Sequence, residues 1–162
     1  MHNIINNIIL TRKFILSICE PLTEEQLNTT PNGFNNNIIW NLGHLIAAQQ
    51  GICYIRSGLN PVVDESITEY FKSGSKPNKI FNNNEIESIK KTFTASLEQL
   101  KNDIEKNLFV NYEPLQTRYG VTISNITEAI QFLPFHEGLH AGTINAMKRL
   151  VALHESAIND LH

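Results

Sequence analysis

His136, Glu137 and His140 form an H-E-x-x-H run near the end of a 162-residue chain. On a helix of 3.6 residues per turn, side chains four apart differ in direction by only about 40°, so the two imidazoles can converge on one ion. Zinc proteases use this arrangement, with the histidines as ligands and the glutamate as general base. Two ligands do not complete a catalytic site, which takes three protein donors and keeps a position for water or substrate. The third donor therefore decides the chemistry, and the candidates are His2, His44, His154, His162 and the acidic side chains.

The surrounding residues argue against a peptidase. One zincin class needs a glycine three residues after the second histidine and a further histidine three beyond it, but Thr143 and Ala146 stand there. Another class takes a glutamate from a following helix, whereas Glu155 falls in what reads as the same helix or its tail. No strand pattern precedes the motif to supply the sheet edge that holds a peptide. His44 is the best-placed third donor: Trp40 precedes it by one turn, and its neighbours are mainly apolar or small. Two facing helices of a bundle can bring their side chains to one ion.

Long helices must position these residues, and the apolar spacing predicts four of them. The first covers Asn3 to Cys19, with Ile4, Ile5, Ile8, Ile9, Ile15 and Ile18 on its stripe and Pro21 as its stop. Thr23 and Gln26 form a capping box for a short helix flanked by Leu22 and Leu27, and Thr29 to Asn37 reads as a loop. The second long helix starts at Asn35 to Asn37 and runs to Ser57, with Gly58 suited to the position after its end. A long connection from Leu59 to Asn83, with one short helix near Glu65 to Lys72, can carry the chain back along the whole bundle. The third helix begins near Asn84, with Glu87 reaching back, and follows Ile86, Ile89, Phe93, Leu97, Leu100, Ile104 and Leu108. The fourth starts at Ser124 or Asn125, and its seam carries Ile126, Ile130, Leu133, Glu137, His140, Ile144, Met147 and Val151.

The H-E-x-x-H thus interrupts an apolar seam. A polar side chain facing a core without a partner costs roughly 1–3 kcal/mol, and more if it is charged. Pro134, inside the same helix, removes a backbone hydrogen bond at a cost of about 3 kcal/mol, and Gly138 and Gly142 lower helix propensity further. Local rules broken together mark functional sites.

Composition narrows the remaining classes. Apolar residues make up 41% and charged residues 18%, which suits one globular domain spanning residues 1–162. A formal net charge of -3 and scattered Lys and Arg leave no basic footprint for nucleic acid. Cys19 and Cys53 sit in apolar surroundings and read as small buried hydrophobes, which fits a reducing cytoplasm. Asn6 and Asn7 break the N-terminal apolar run, and Arg12 and Lys13 follow it, the wrong order for an export signal. No stretch is apolar enough to span a membrane.

Two segments together resemble the DinB-like family in its YfiT-related branch: Trp40-Asn41-Leu42-Gly43-His44-Leu45, and Tyr119-Gly120-Val121 leading to Phe135-His136-Glu137-Gly138-Leu139-His140-Ala141-Gly142-Thr143-Ile144. The order of the elements agrees through nearly the whole chain. The resemblance implies an all-α four-helix bundle running up-down-down-up, commonly a homodimer, with nickel or zinc held by His44, His136 and His140. It also implies enzymes that use a low-molecular-weight thiol in S-transfer to small-molecule electrophiles, with metal-dependent hydrolysis as a neighbouring activity. A divalent ion that binds sulfur stabilises thiolate at neutral pH, so no protein nucleophile is needed.

Two readings of Glu137 stay open: general base beside the metal, or interhelical partner of a cation. Gln49 and Gln50 can line a pocket mouth or lie on an exposed helix face, and Arg118 and Tyr119 can meet an anionic thiol or stay on the surface. The competing functional class is a noncatalytic bundle with a structural metal or none. A structural zinc site closes with four protein donors, and Cys53 is the only cysteine near either histidine motif.

Overall fold

The computed structural model describes the backbone of residues 2–159 and the side chains of residues 3–152. His2, His154, Glu155 and His162, considered above as donors, lie outside the described side chains.

Among the described residues six α-helices carry the fold: α1 (His2–Cys19), α2 (Glu24–Asn28), α3 (Ile38–Gln49), α4 (Glu65–Tyr70), α5 (Asn83–Glu105) and α6 (Ile126–Asn159). Capping chemistry sets their starts. Thr23 and Gln26 form the expected capping box of α2, and Asn37 accepts from the Trp40 amide at the head of α3. The third long helix starts one residue earlier than the sequence suggested. Asn82 and Glu85 form its capping box, while Glu87 pairs with Lys90 on the surface. It also stops at Glu105, so Leu108 lies beyond the buried stripe and is 42% exposed.

α3 does not end abruptly. A π-turn over Gln50–Tyr54 and a 3-10 turn over Ile55–Ser57 prolong it, and Gly58 closes it in the left-handed region at φ 74°. α6 passes straight through Pro134 and continues past Val151 to Asn159.

α1 packs against α5 and α6, and α3 packs against the same two helices. That places α1 diagonally opposite α3, and α5 opposite α6. Two apolar layers then fix the directions. One joins Ile15 and Ile18 to Ile38, Ile86, Phe93, Ile144 and Met147; the other joins Ile5 and Ile8 to Tyr54, Leu97, Leu100, Ile130 and Leu133. α1 and α6 run from the second layer to the first, α3 and α5 from the first to the second. The up-down-down-up order follows.

Parallel α3 and α5 need a long return. The connection leaves the second layer at Leu59, forms α4 behind its Asp64 cap, and reaches the first layer at Phe71 and Phe81. Between α5 and α6 the chain makes a small antiparallel hairpin, β1 (Leu115–Gln116) with β2 (Thr122–Ile123), turning at Gly120 with φ 79°. Sequence reasoning found no strand before the last helix; two residues per strand are too few to show a period. Among the described residues, no helix is long and apolar enough to cross a membrane.

Candidate metal centre

α3 and α6 bring His44, His136 and His140 together, with one ligand nitrogen from each inside a group spanning no more than 4.8 Å. Ring centroids lie 5.3, 5.0 and 4.7 Å apart for the pairs 44–136, 44–140 and 136–140. His44 and His136 are buried, and His140 is half-buried.

Two of the rings are held by their far nitrogens. Nδ1–H of His44 donates to the Phe71 carbonyl at 2.9 Å, and Nδ1–H of His140 donates to Asn41 Oδ1 at 2.7 Å. Each bond fixes the tautomer and leaves Nε2 as a lone-pair donor. Asn41 is itself aimed, because its Nδ2 donates to the Asn37 carbonyl at 2.7 Å. Trp40 stacks on His44 with centroids 4.7 Å apart and planes 8° from parallel, and its Nε1–H donates to Ser75 Oγ at 2.9 Å. Gly43 has a steric reason: a Cβ built there would overlap the ring of Phe71, the residue whose carbonyl holds His44. Trp40, Asn41, Gly43 and His44 therefore each contribute to one device.

All three imidazoles are kept neutral. Burial lowers His136 to about 4 and His140 to about 3, and neighbouring histidines and Arg118 push the same way. His44 is lowered too, by burial first, against the pull of the Phe71 carbonyl. Neutral imidazole is the form that ligates metals. Among the described residues no cysteine or carboxylate joins the cluster; Cys53 is packed in the other apolar layer with Ile5 and Ile8.

Cavities of about 570 and 540 Å³ open on the cluster, and His44, Ser73, Arg118 and Tyr119 line both. The hairpin between α5 and α6 thus delivers Arg118 and Tyr119 to the site. Arg118 Nη2 donates to Tyr119 Oη at 2.8 Å, and Tyr119 packs edge-on against Phe135 at 5.2 Å.

A family model for the DinB superfamily matches residues 8–144. The chain belongs to the DinB superfamily. No curated protein matches it in sequence. The match takes in both halves of the histidine cluster, His44 on α3 and the two histidines on α6.

Glu137 stands apart from the histidines beside it on α6. Its Oε1 accepts from Arg12 Nε at 2.9 Å and Nη2 at 2.8 Å, and it lines neither cavity. Of the two readings left open, the geometry favours the cation's partner. The same guanidinium donates from Nη1 to the Phe93 carbonyl at 2.6 Å and Ser96 Oγ at 3.0 Å, and from Nη2 to the Leu45 carbonyl at 3.1 Å. One side chain on α1 thereby reaches α3, α5 and α6 in a polar layer between the two apolar ones. Burial pushes the Glu137 carboxyl up while Arg12 draws it down.

The glutamines also turn inward. Gln49 donates to the Ser96 carbonyl at 3.0 Å, Gln50 accepts from the Val62 amide at 2.9 Å, and neither has solvent exposure or lines either cavity at the histidine cluster. Arg12 was legible in principle. It falls four residues after Ile8 and three before Ile15, on the buried stripe of α1. A cation on that stripe requires a buried anion, and Glu137 on the α6 seam supplies it.

Proposed function

We propose that this protein is a divalent-metal-dependent enzyme of low-molecular-weight thiol chemistry, joining a thiol to small electrophiles. One observation carries the reading: three neutral histidines converge where two cavities meet, without a fourth protein donor among the described residues. A structural site closes on four protein ligands, whereas three leave room for a reactant. That favours catalysis over a noncatalytic metal-binding or interaction bundle.

His44, His136 and His140 would hold the ion, with nickel or zinc suited to an all-imidazole donor set. When bound, such an ion supplies a positive charge that stabilises thiolate at neutral pH. The protein's own residues do the rest. Phe71 and Asn41 fix two ring orientations, Trp40 covers one face of His44, and Arg118 adds a positive charge at the rim. Metal-dependent hydrolysis is the related activity that the same donor set would serve. A protease is disfavoured, since Glu137 is committed to Arg12 and the only sheet among the described residues is a two-residue hairpin. A homodimer in the cytoplasm, acting on small molecules, completes the proposal; equilibrium sedimentation checks the assembly.

Metal analysis of His44→Ala, His136→Ala and His140→Ala tests the site, and a panel of electrophiles with glutathione and other cellular thiols tests the reaction. Loss of bound metal in the variants and thiol-dependent conjugation by the metal-replete protein are expected. Full metal content in all three variants sinks the triad, and absence of conjugation across the panel sinks the activity.

A further inference from the structure

The two cavities at the histidine cluster differ in chemistry. Asn35, Asn36, Ser75, Lys76, Thr143 and the Trp40 indole line the first, which contains no carboxylate among the described residues. Among the described residues, neither Lys76 nor Arg118 forms an ion pair with a carboxylate. Ala47, Ala48, Ile52, Ile55, Leu115 and Phe132 wall the second. Two of the three cations at its edge are already neutralised, Lys72 by Glu69 at 2.7 Å and Arg56 by Glu113 at 3.0 Å, which leaves Arg118 on the rim that it shares with the first cavity.

The histidines divide between them. His140 faces the first cavity and His136 the second, while His44 lines both. Phe132 lies 6.2 Å from His136 with planes 19° apart, so the apolar wall runs up to that ring. Arg118 and Tyr119 at the hairpin tip and Ser73 form the rim that both cavities share. Each volume lies within the range of small-molecule sites, about 300–1,000 Å³.

We propose that the cavities receive two different reactants: an anionic, amide-rich thiol in the polar one and a small apolar electrophile in the other, meeting at the three histidines. The assignment rests on the thiol-transfer reading above and adds the place and class of each partner. Lys76 and Arg118 offer charge-assisted donors to carboxylates, and the Asn35 and Asn36 amides can both donate to and accept from peptide groups. The apolar wall gains by excluding water from a partner that carries no charge. In the transfer, the thiol sulfur attacks the electrophilic carbon and a C–S bond forms. The bond from that carbon to its leaving group breaks, its electron pair leaves with that group, and the thiol proton passes to solvent.

Binding without turnover tests the assignment. Zinc-loaded protein is titrated calorimetrically with glutathione as the anionic thiol, and by dye emission with neutral N-phenyl-1-naphthylamine as the apolar probe. Trp40 is the single tryptophan and lines only the polar cavity of the two, so glutathione should change its emission. Both probes are expected to bind one molecule together. Lys76→Ala with Arg118→Ala should weaken glutathione about tenfold or more and spare the dye. Ala48→Phe, at a half-buried position on the apolar wall, should do the reverse, with circular dichroism confirming its fold. Mutual displacement of the probes, equal weakening of both by either variant, or no glutathione binding to protein holding full metal overturns the assignment. Failure of the wild-type protein to hold metal would instead overturn the reading beneath it.

Discussion

Arg12 and Glu137 lie 125 positions apart and meet at 2.8 Å with 0% and 1% of their side chains exposed. The carboxylate accepts two guanidinium donors on one oxygen, while the other donors reach backbone carbonyls of α3 and α5. This contact turns the glutamate of the H-E-x-x-H run away from the histidine cluster. Two neighbours on one helical turn thereby take separate tasks, His136 for the ligand cluster and Glu137 for the bundle.

Removing either partner of that pair leaves a buried charge uncompensated, which costs about 3–5 kcal/mol. Arg12→Met and Glu137→Gln are therefore expected to lower the unfolding free energy read from urea melts by that order. The double variant Arg12→Met/Glu137→Leu should recover a large part of the loss. A single variant as stable as wild type in urea melts would refute the bracing role. Folded Glu137→Gln is expected to keep its metal, because the carboxylate is not in the donor group.

Asn41 fixes His140 through Nδ1, so Asn41→Ala should free the ring and weaken metal binding by about 10–100-fold. Competition with a chromogenic chelator reads the affinity. An unchanged dissociation constant would show that the hydrogen bond does not orient the ligand.

Gly43→Ala places a methyl group in the space of the Phe71 ring. Overpacking of this kind costs about 1–3 kcal/mol, and displacing Phe71 also disturbs the carbonyl that holds His44. Lower thermal stability and weaker metal affinity are expected together. Phe71→Leu in the same chain should restore part of both; loss of stability with metal affinity untouched would separate the glycine from the site.

Acid should weaken the metal-free protein through its histidines. Burial holds His136 at about 4 and His140 at about 3, below the ordinary 6.5, so the unfolded chain binds more protons below pH 6.5 than the folded one. Their contribution to stability is full above about 6.5 and falls as pH drops toward 4 and 3, by up to about 1.4 kcal/mol per pH unit for each histidine. Glu137, pushed up by burial, acts in the opposite direction, so the difference between wild type and His140→Leu is the readout. Urea melts between pH 7 and pH 4.5 should give a shallower pH dependence for the variant. Identical slopes would contradict the shifted histidine.

The sequence determined the helices, because apolar residues repeated at helical spacing wherever a face had to be buried. It also determined the H-E-x-x-H run as a candidate metal motif, since two imidazoles four apart share a face whatever surrounds them. Its limits were local in kind. The start of α5 slipped to Asn83, behind an Asn82 cap, because several asparagines in a row can each cap a helix. The strands before α6 were too short to carry a pattern.

Only the tertiary structure decided what each polar residue does. Sequence spacing gives Glu137 a direction on its helix but not what stands there, and α1 places Arg12 at that point. Asn41 and Trp40 gain meaning only when α6 and the return connection bring His140 and Ser75 against them. Arg118 and Tyr119 stay open between bare surface and site until the hairpin sets them, still exposed, at the rim of both cavities. Periodicity within an element records which face is buried. Contacts between elements depend on how the helices are ordered and directed around the core, and no single segment encodes that.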